Sequence, residues 1–131
     1  MFIDASAIVA ILAREPDADG IALKFKGVRP LMTSPLSVYE AVLAIARLRN
    51  IDIHEADSGV SVFLTHYNIR VANITDDIGQ AAIIAFDNYG KGRHKAGLNM
   101  GDCFSYAFAR LHQVPLLCKG NDFVHTDIKI A

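Results

Sequence analysis

The chain has 131 residues, 52% of them hydrophobic and 21% charged, a length and composition that predict one globular domain over residues 1–131. Thirteen Lys and Arg residues against fourteen Asp and Glu residues give a formal net charge of −1, so any polyanion must be bound by a local basic patch. No apolar run reaches the ~18 residues of a membrane-spanning helix and no signal peptide is recognisable, which excludes membrane proteins and favours a cytoplasmic protein.

Short apolar segments alternate with helical segments along the chain. The predicted strands are residues 1–4, 30–33, 67–71, 114–118 and 128–130. The predicted helices are residues 5–14, 17–26, 35–49, 53–66, 76–89 and 101–112. Ser34 before Pro35, and Thr75 before residue 76, are helix-start signals. The alternation predicts an α/β fold of three layers, α/β/α, around a short-stranded and mainly parallel sheet.

Apolar positions at helical spacing predict which helix faces pack on this sheet. In the helix over residues 35–49 these positions are Val38, Ala41, Val42, Ile45 and Leu48. In the helix over residues 101–112 they are Phe104, Ala107, Phe108 and Leu111. Cys103 and Cys118 have apolar neighbours and lack the CxxC spacing of a zinc site, so both are predicted to be buried free thiols in a reducing cytoplasm.

Four acidic residues from distant segments are predicted to lie at one edge of the sheet. Asp4 ends the first strand, and Asp122 follows the strand over residues 114–118. Glu40 lies about a turn and a half into the helix after the second strand, and Asp102 opens a later helix. Sites in open α/β sheets form at the carboxyl ends of the strands, where these segments meet. Clustered carboxylates repel one another unless a proton or a cation intervenes, and a ligand set made only of oxygen suits Mg²⁺ or Mn²⁺.

Each of these residues also has an ordinary structural role open to it. Asp4 and Ser6 can cap the following helix, and Glu40 can reach solvent or pair with a nearby base. Asp102 can be a first-turn acid that the helix dipole favours, and Asp122 can be a turn residue. The metal site is favoured because all four acids are predicted to lie at one edge of the sheet, not because of the spacing of any one of them.

Two further acids show what such an ordinary role looks like in this sequence. Asp76 and Asp77 directly follow Thr75, the predicted helix cap. Negative charge at that position stabilises the positive end of the helix dipole. We therefore assign no chemistry to Asp76 and Asp77.

The segment GKGRHKAGLN is predicted to be a flexible basic loop. It contains Lys91, Arg93, His94 and Lys95, no acidic residue, and three glycines. Such a loop suits contacts with phosphate groups, although an ordinary solvated connection has the same composition. Because the loop leads directly into Asp102, we favour a role in substrate binding.

Four segments of the chain carry a resemblance to a known family: FIDASAIVAIL, SPLSVYEAVLAI, YGKGRHKAGLNMGDCFSYAFA and LLCKGNDFVHTDI. On these segments the chain resembles the PIN-domain ribonucleases, specifically the VapC-like toxins of type II toxin–antitoxin pairs, over essentially its whole length. The resemblance implies a Mg²⁺- or Mn²⁺-dependent endoribonuclease that hydrolyses phosphodiester bonds in structured RNA. It also implies a homodimer that is inhibited by a small antitoxin protein.

The family's site residues correspond to residues of this chain at all four main positions. The resemblance assigns catalysis to Asp4, Glu40, Asp102 and Asp122, and metal binding to Asp4 and Asp102; one ion and two ions both stay open. It also gives the site a hydroxyl at Ser6. The candidate substrate-binding residues are Ser6, Lys91, Arg93 and Asn121. Whether Asp127 joins the acidic site is also left open.

Three other classes of small α/β protein are compared with these features. A phosphoacceptor receiver domain needs adjacent acids after the first strand, where Asp4 stands alone. A carboxylate-metal phosphatase needs a second Asp two residues later, where this chain has Ser6. A non-catalytic binding module does not need four convergent acids. The metal-dependent ribonuclease is therefore the favoured function, with the phosphatase and the non-catalytic domain as alternatives.

Overall fold

The computed structural model describes all 131 residues, in which four short strands alternate with six helices. The strands are β1 (Phe2–Ile3), β2 (Leu31–Thr33), β3 (Ile69–Val71) and β4 (Leu116–Leu117). The helices are α1 (Ala5–Leu12), α2 (Ala18–Leu23), α3 (Pro35–Arg49), α4 (Ile53–His66), α5 (Asp76–Tyr89) and α6 (Met100–Leu111).

The four strands form one parallel sheet in the order β3-β2-β1-β4. Phe2 of β1 is in register with Met32 of β2 on one side and with Leu116 of β4 on the other. The carboxyl ends of all four strands therefore lie at the same edge, as the sequence predicts. The predicted strand over residues 128–130 is wrong, since only Ile130 bridges to Leu116. The two-residue β4 is too short to support a longer ladder at this edge.

Helices cover both faces of the sheet, because neighbouring strand residues point to opposite sides. Ile3 packs into a cluster that includes residues of α1, α2, α3 and α4. Phe2 packs on the other side, into a cluster with residues of α5 and α6, and its ring stacks on Phe108 with centroids 5.0 Å apart. This arrangement confirms the three-layer α/β/α fold.

The two predicted helix caps are present. The Ser34 side chain accepts a hydrogen bond from the Ser37 amide at 3.0 Å, with Pro35 in the first helical position. Thr75 accepts from the Ile78 amide at 3.4 Å. These contacts satisfy amides that the first turn of a helix leaves unpaired, which fixes where α3 and α5 begin.

The predicted packing faces of α3 and α6 extend one turn beyond the part of each helix that is buried. Leu48 is 56% exposed and Leu111 is 48% exposed. Both leucines lie in the last turn of their helix, whereas the core clusters reach only as far as Ala46 in α3 and Ala109 in α6. Helical periodicity shows which face points inwards, but not where the neighbouring elements stop covering it.

Both cysteines are free thiols. Cys103 is buried as predicted, whereas Cys118 is only partly buried. Burial is the main cause that raises the thiol pKa, to about 11 for Cys103 and about 12 for Cys118. Neither thiol is therefore ionised near neutral pH. No helix combines the length and the apolar character needed to cross a membrane.

Candidate active site

The carboxylate of Asp4 lies at the end of β1 and is 6% exposed. Its Oδ2 accepts hydrogen bonds from the Ser6 amide at 2.9 Å and the Ser6 hydroxyl at 2.6 Å. Its Oδ1 accepts a third, from the Ser105 hydroxyl at 2.6 Å. Asp4 therefore does cap α1, as one alternative predicted. The three donors also explain how a carboxylate can be buried here without a positive partner.

Ser6 connects Asp4 to the segment that follows β4. The Ser6 hydroxyl donates to Asp4 and accepts a hydrogen bond from the backbone amide of Lys119 at 2.9 Å. The Lys119 ammonium group forms ion pairs with Glu15 and Asp17, which follow α1. The connections after α1 and after β4 are thus held together beside Asp4.

Glu40 projects from α3 against the first turn of α6. A Cβ atom at Gly101 would overlap the Glu40 carboxylate, so the glycine leaves room for this close approach. The pKa of Glu40 is raised to about 7, first by burial and then by the negative charges of Asp4 and Asp102. Glu40 forms no salt bridge, which does not support the alternative that it pairs with a nearby base.

Asp102 caps α6 and also belongs to the acidic group, which consists of Asp4, Glu40, Asp102 and Asp122. Its Oδ2 accepts from the Asn99 amide at 2.9 Å, and the Asn99 side chain accepts from the Asp102 amide at 3.0 Å, which forms a capping box at α6. Burial raises the pKa of Asp102 to about 6, opposed by the Asn99 hydrogen bond and assisted by the charges of Asp4 and Asp122. The capping role and the clustering of acids thus occur together.

Asp122 and Asn121 lie in the exposed turn segment after β4. Gly120 adopts a φ of 93° there, a backbone conformation that favours glycine. The charge of Asp122 acts on Asp102 and on the Cys118 thiol, so this acid faces the same region as Asp4. The backbone carbonyl of Asn121 accepts a hydrogen bond from the Val124 amide at 3.3 Å. Asn121 is exposed.

Asp127 is held away from the acidic group by two other partners. The Tyr106 hydroxyl donates to Asp127 at 2.6 Å, and Arg110 forms a 3.4 Å ion pair with it. Both partners lie on α6. The hydrogen bond and the ion pair lower the pKa of Asp127, and no other acid contributes to that shift. Asp127 therefore attaches the C-terminal segment to α6.

Backbone hydrogen bonds join the two ends of the predicted basic loop. Leu98, fully buried, donates its amide to the Tyr89 carbonyl at 2.9 Å, and Lys91 donates to the Leu98 carbonyl at 3.0 Å. Arg93 forms a salt bridge with Asp87. Lys91 and Lys95 are exposed and form no ion pair. They are thus the two lysines of this loop that are free to meet a phosphate group.

The chemistry of the donor set fits a hard divalent cation. Asp4, Glu40, Asp102 and Asp122 present only oxygen atoms, and their charges act on one another. No group of three His, Cys, Asp or Glu side chains is arranged to hold a metal ion by itself. Mg²⁺ commonly keeps several waters and takes only one or two carboxylates from the protein, so a two-carboxylate site is compatible with this geometry.

Comparison with known proteins identifies the family. The family model described as PIN domain matches residues 1–129 of the chain. The chain belongs to the PIN domain family. It is 42% identical over 129 residues to a VapC ribonuclease of Mycobacterium bovis, covering 98% of this chain and 95% of the relative. It is 41% identical over 131 residues to a ribonuclease VapC of Mycolicibacterium smegmatis, covering 98% and 97%.

Two solved structures share the fold of this PIN domain. A toxin–antitoxin complex from Klebsiella pneumoniae matches with a TM-score of 0.73 at 16% identity, covering 99% of this chain and 95% of the other. The Mycobacterium tuberculosis toxin VapC20, described as cleaving the sarcin–ricin loop, matches with a TM-score of 0.74 at 18% identity, covering 99% and 97%. At these identities the similarity shows the fold alone.

Ser105 is a residue of this PIN domain that the sequence prediction missed. Its hydroxyl contacts Asp4 directly, but it lies outside the apolar stripe assigned to α6. A signal was present, because Ser105 lies three residues after Asp102 and therefore on the same side of the helix. A serine among apolar helix neighbours, one turn from a site acid, indicates a hydrogen-bond partner for that site.

Proposed function

We propose that this PIN-domain protein is the toxin of a toxin–antitoxin pair and a metal-dependent endoribonuclease. The observation that supports this most is the position of Asp4 and of the segments that carry Glu40, Asp102 and Asp122 at the carboxyl edge of the parallel sheet, with Glu40 against the first turn of α6. The identity of about 42% to VapC ribonucleases over nearly the whole chain supports the same activity. We infer that Asp4 and Asp102 hold the ion, with Mg²⁺ or Mn²⁺ as the cofactor.

The side chains have distinct tasks in hydrolysis of a phosphodiester bond. A bound divalent cation supplies Lewis acidity, which lowers the pKa of water and neutralises charge on the phosphate. Glu40 lies against the first turn of α6, next to Asp102, and is the carboxylate suited to take a proton from water there. Asp122 is exposed and its charge acts on Asp102, so it would complete the negative pocket and orient that water.

We infer that the RNA-binding groups come from the loop that leads into α6 and from the turn after β4. Lys91 and Lys95 offer free ammonium groups, whereas Arg93 must first release Asp87 before it binds a phosphate. Asn121 has an exposed side chain beside Asp122 and is available to RNA. Ser6 already bonds Asp4 and the Lys119 amide, so its contribution to substrate is through its one remaining lone pair.

The partners of this protein follow from the same proposal. A small antitoxin protein would inhibit it, as expected for a chain related to proteins of toxin–antitoxin pairs. Exposed apolar side chains on α5 and α6, such as Ile83, Phe86 and Met100, support self-association as a homodimer. We place the protein in the cytoplasm, where both free cysteines remain reduced.

Incubation with two substrates tests the proposed function. RNA and a generic phosphomonoester are each incubated with the protein in Mg²⁺ or in EDTA. We expect cleavage of RNA in Mg²⁺, none in EDTA, and no release of inorganic phosphate from the monoester. Release of phosphate would favour the carboxylate-metal phosphatase, and a lack of hydrolysis of both substrates would favour a non-catalytic binding domain.

A further inference from the structure

Ser105 is a fully buried polar residue whose hydroxyl contacts the Asp4 carboxylate. Its hydroxyl donates to Oδ1 of Asp4 at 2.6 Å, across a separation of 101 residues in the chain. This hydrogen bond joins α6 to the end of β1. Because the residue is inaccessible, Ser105 cannot itself touch RNA or act as a nucleophile.

The hydrogen bonds of Asp4 leave very little of its carboxylate free. A carboxylate has about four lone-pair positions, two on each oxygen. Two donors from Ser6 occupy Oδ2, and Ser105 occupies one position on Oδ1. One lone pair of Oδ1 is left for a cation. The Ser105 hydroxyl, as the sole protein donor to that oxygen, fixes the direction of the remaining lone pair.

The position of Ser105 on α6 links the two proposed metal ligands. Ser105 lies three residues after Asp102, so the two side chains project from the same side of the helix. The charge of Asp4 acts on Asp102, which places both carboxylates in one region. The helix that carries one ligand therefore also holds the other ligand in place.

We propose that Ser105 is a positioning residue that holds the Asp4 carboxylate in its cation-binding orientation. This inference rests on the proposed metal-dependent function. Without the hydroxyl, Oδ1 loses its donor and the carboxylate can rotate away from Asp102. Loss of partners that orient metal ligands commonly weakens metal binding by about 10–100-fold. Contacts of RNA with the basic loop do not involve Ser105 and should be unchanged.

Binding of Mn²⁺ alone, followed by electron paramagnetic resonance of the free ion, tests this proposal without any measurement of activity. We expect Ser105→Ala to weaken Mn²⁺ binding at least about tenfold relative to wild type. Ser105→Thr, which keeps the hydroxyl, should bind within a few-fold of wild type. RNA affinity in EDTA should be the same for all three proteins.

Ser37→Ala is the matched control. Ser37 is 2% exposed, lies on α3 one turn before Glu40, and bonds the Ser34 hydroxyl rather than a carboxylate. This variant loses a buried hydroxyl as Ser105→Ala does, so it should lose thermal stability but keep its Mn²⁺ affinity. If Ser105→Ala does not fold, Ser105→Cys replaces it, since a thiol is a weak donor of similar shape.

The outcomes separate this inference from the proposed function. If wild type binds Mn²⁺ and Ser105→Ala binds it equally well, the positioning role of Ser105 is overturned, whereas the proposed metal site is not. A folded Ser105→Thr that binds as weakly as Ser105→Ala would also overturn it, because the loss would then come from packing. If wild type itself binds no Mn²⁺, the proposed metal site fails and the positioning role fails with it.

Discussion

At the scale of single residues, Asp4 shows how structural and chemical roles coincide in one side chain. The sequence left two interpretations open, a helix cap or a member of an acidic cluster. The structure supports both, since Asp4 caps α1 and its charge acts on Glu40 and Asp102. Its burial is balanced by donors on Ser6 and Ser105, not by a positive charge.

Glu40 makes the stability of the metal-free protein depend on pH. Its folded pKa of about 7 lies above the ordinary value of 4.5, so the folded state holds the proton more tightly than the unfolded state. The stabilisation is complete below the ordinary pKa and is lost as the pH rises through about 7. In EDTA, wild type should therefore melt at a higher temperature at about pH 5 than at about pH 8.

Glu40→Gln is the comparison that isolates this effect. Glutamine does not titrate, so the variant should lose much of the difference in melting temperature between the two pH values. Asp102, with a pKa raised to about 6, supplies the remainder in the same direction. Melting curves with the same pH dependence in both proteins would show that Glu40 is not desolvated as the structure indicates.

We expect Asp102 to make the stability of the folded protein depend on binding of the metal ion. In EDTA, Asp102→Asn should melt at or above the wild-type temperature, because burial and the charges of Asp4 and Asp122 disfavour its ionised form. Mg²⁺ at a hundredfold excess over its dissociation constant should stabilise wild type by about 2.7 kcal/mol. The variant should lose most of that gain. Unfolding curves in EDTA and in excess Mg²⁺ measure both effects.

Asp77→Asn is the matched control for this measurement. Asp77 lies in the first turn of α5, a position comparable to that of Asp102 in α6, but is exposed and outside the acidic group. This variant should keep the full stabilisation by Mg²⁺. An equal gain in Asp102→Asn would show that Asp102 does not bind the ion.

At the scale of secondary-structure elements, the helices were predicted better than the strands. The bounds of α4 and α5 agree with the predicted helices over 53–66 and 76–89, because helix caps and periodicity are local properties of the sequence. Strand length depends on distant pairing partners instead. Residues 128–130 have a strand-like sequence, but their only neighbour is the two-residue β4.

The loop between α5 and α6 should contribute to the salt dependence of RNA binding. Lys91 and Lys95 are free of ion pairs, so replacing both with Gln removes two charges that would displace counterions. The slope of log affinity against log salt should become shallower by about 1.4–1.8 for two lost contacts. The measurement is a titration of RNA in EDTA over a series of salt concentrations.

Arg93→Gln provides the comparison within the same loop. Arg93 is engaged by Asp87, so its loss should change the slope less than the loss of one free lysine. An unchanged slope in the double lysine variant would mean that the loop is a solvated connection without a role in RNA binding.

At the scale of the whole molecule, the apolar surface predicts self-association. An apolar groove of about 720 Å³ between α5 and α6 is lined by Ile83, Phe86, Met100 and Phe104, and the first three are more than 40% exposed. Contiguous exposed apolar surface of this kind favours an interface. We expect a dimer at micromolar concentration by sedimentation, and a species of 14.3 kDa alone would contradict it.

The arrangement of the site was predictable because it depends mainly on topology. Parallel strands bring Asp4 and the segments that carry Asp102 and Asp122 to one edge, whatever their side chains contact. The contact of Ser105 with Asp4 was not predictable in this way, because it requires the packing distance between α6 and β1. The hydrogen bond from the Leu98 amide to the Tyr89 carbonyl was not predictable either, because it depends on how the loop folds back onto the end of α5.

Cleavage of RNA by matched Asp→Asn variants tests the central claim most directly. In Mg²⁺, Asp4→Asn and Asp102→Asn should each lose at least about a hundredfold in cleavage rate, more than the usual cost of losing a group that only orients a ligand. Asp77→Asn, which removes an exposed first-turn carboxylate outside the cluster, should cleave at the wild-type rate. Circular dichroism confirms that each variant is folded. Full cleavage by a folded Asp4→Asn or Asp102→Asn would contradict the assignment of the acidic cluster as the nuclease site.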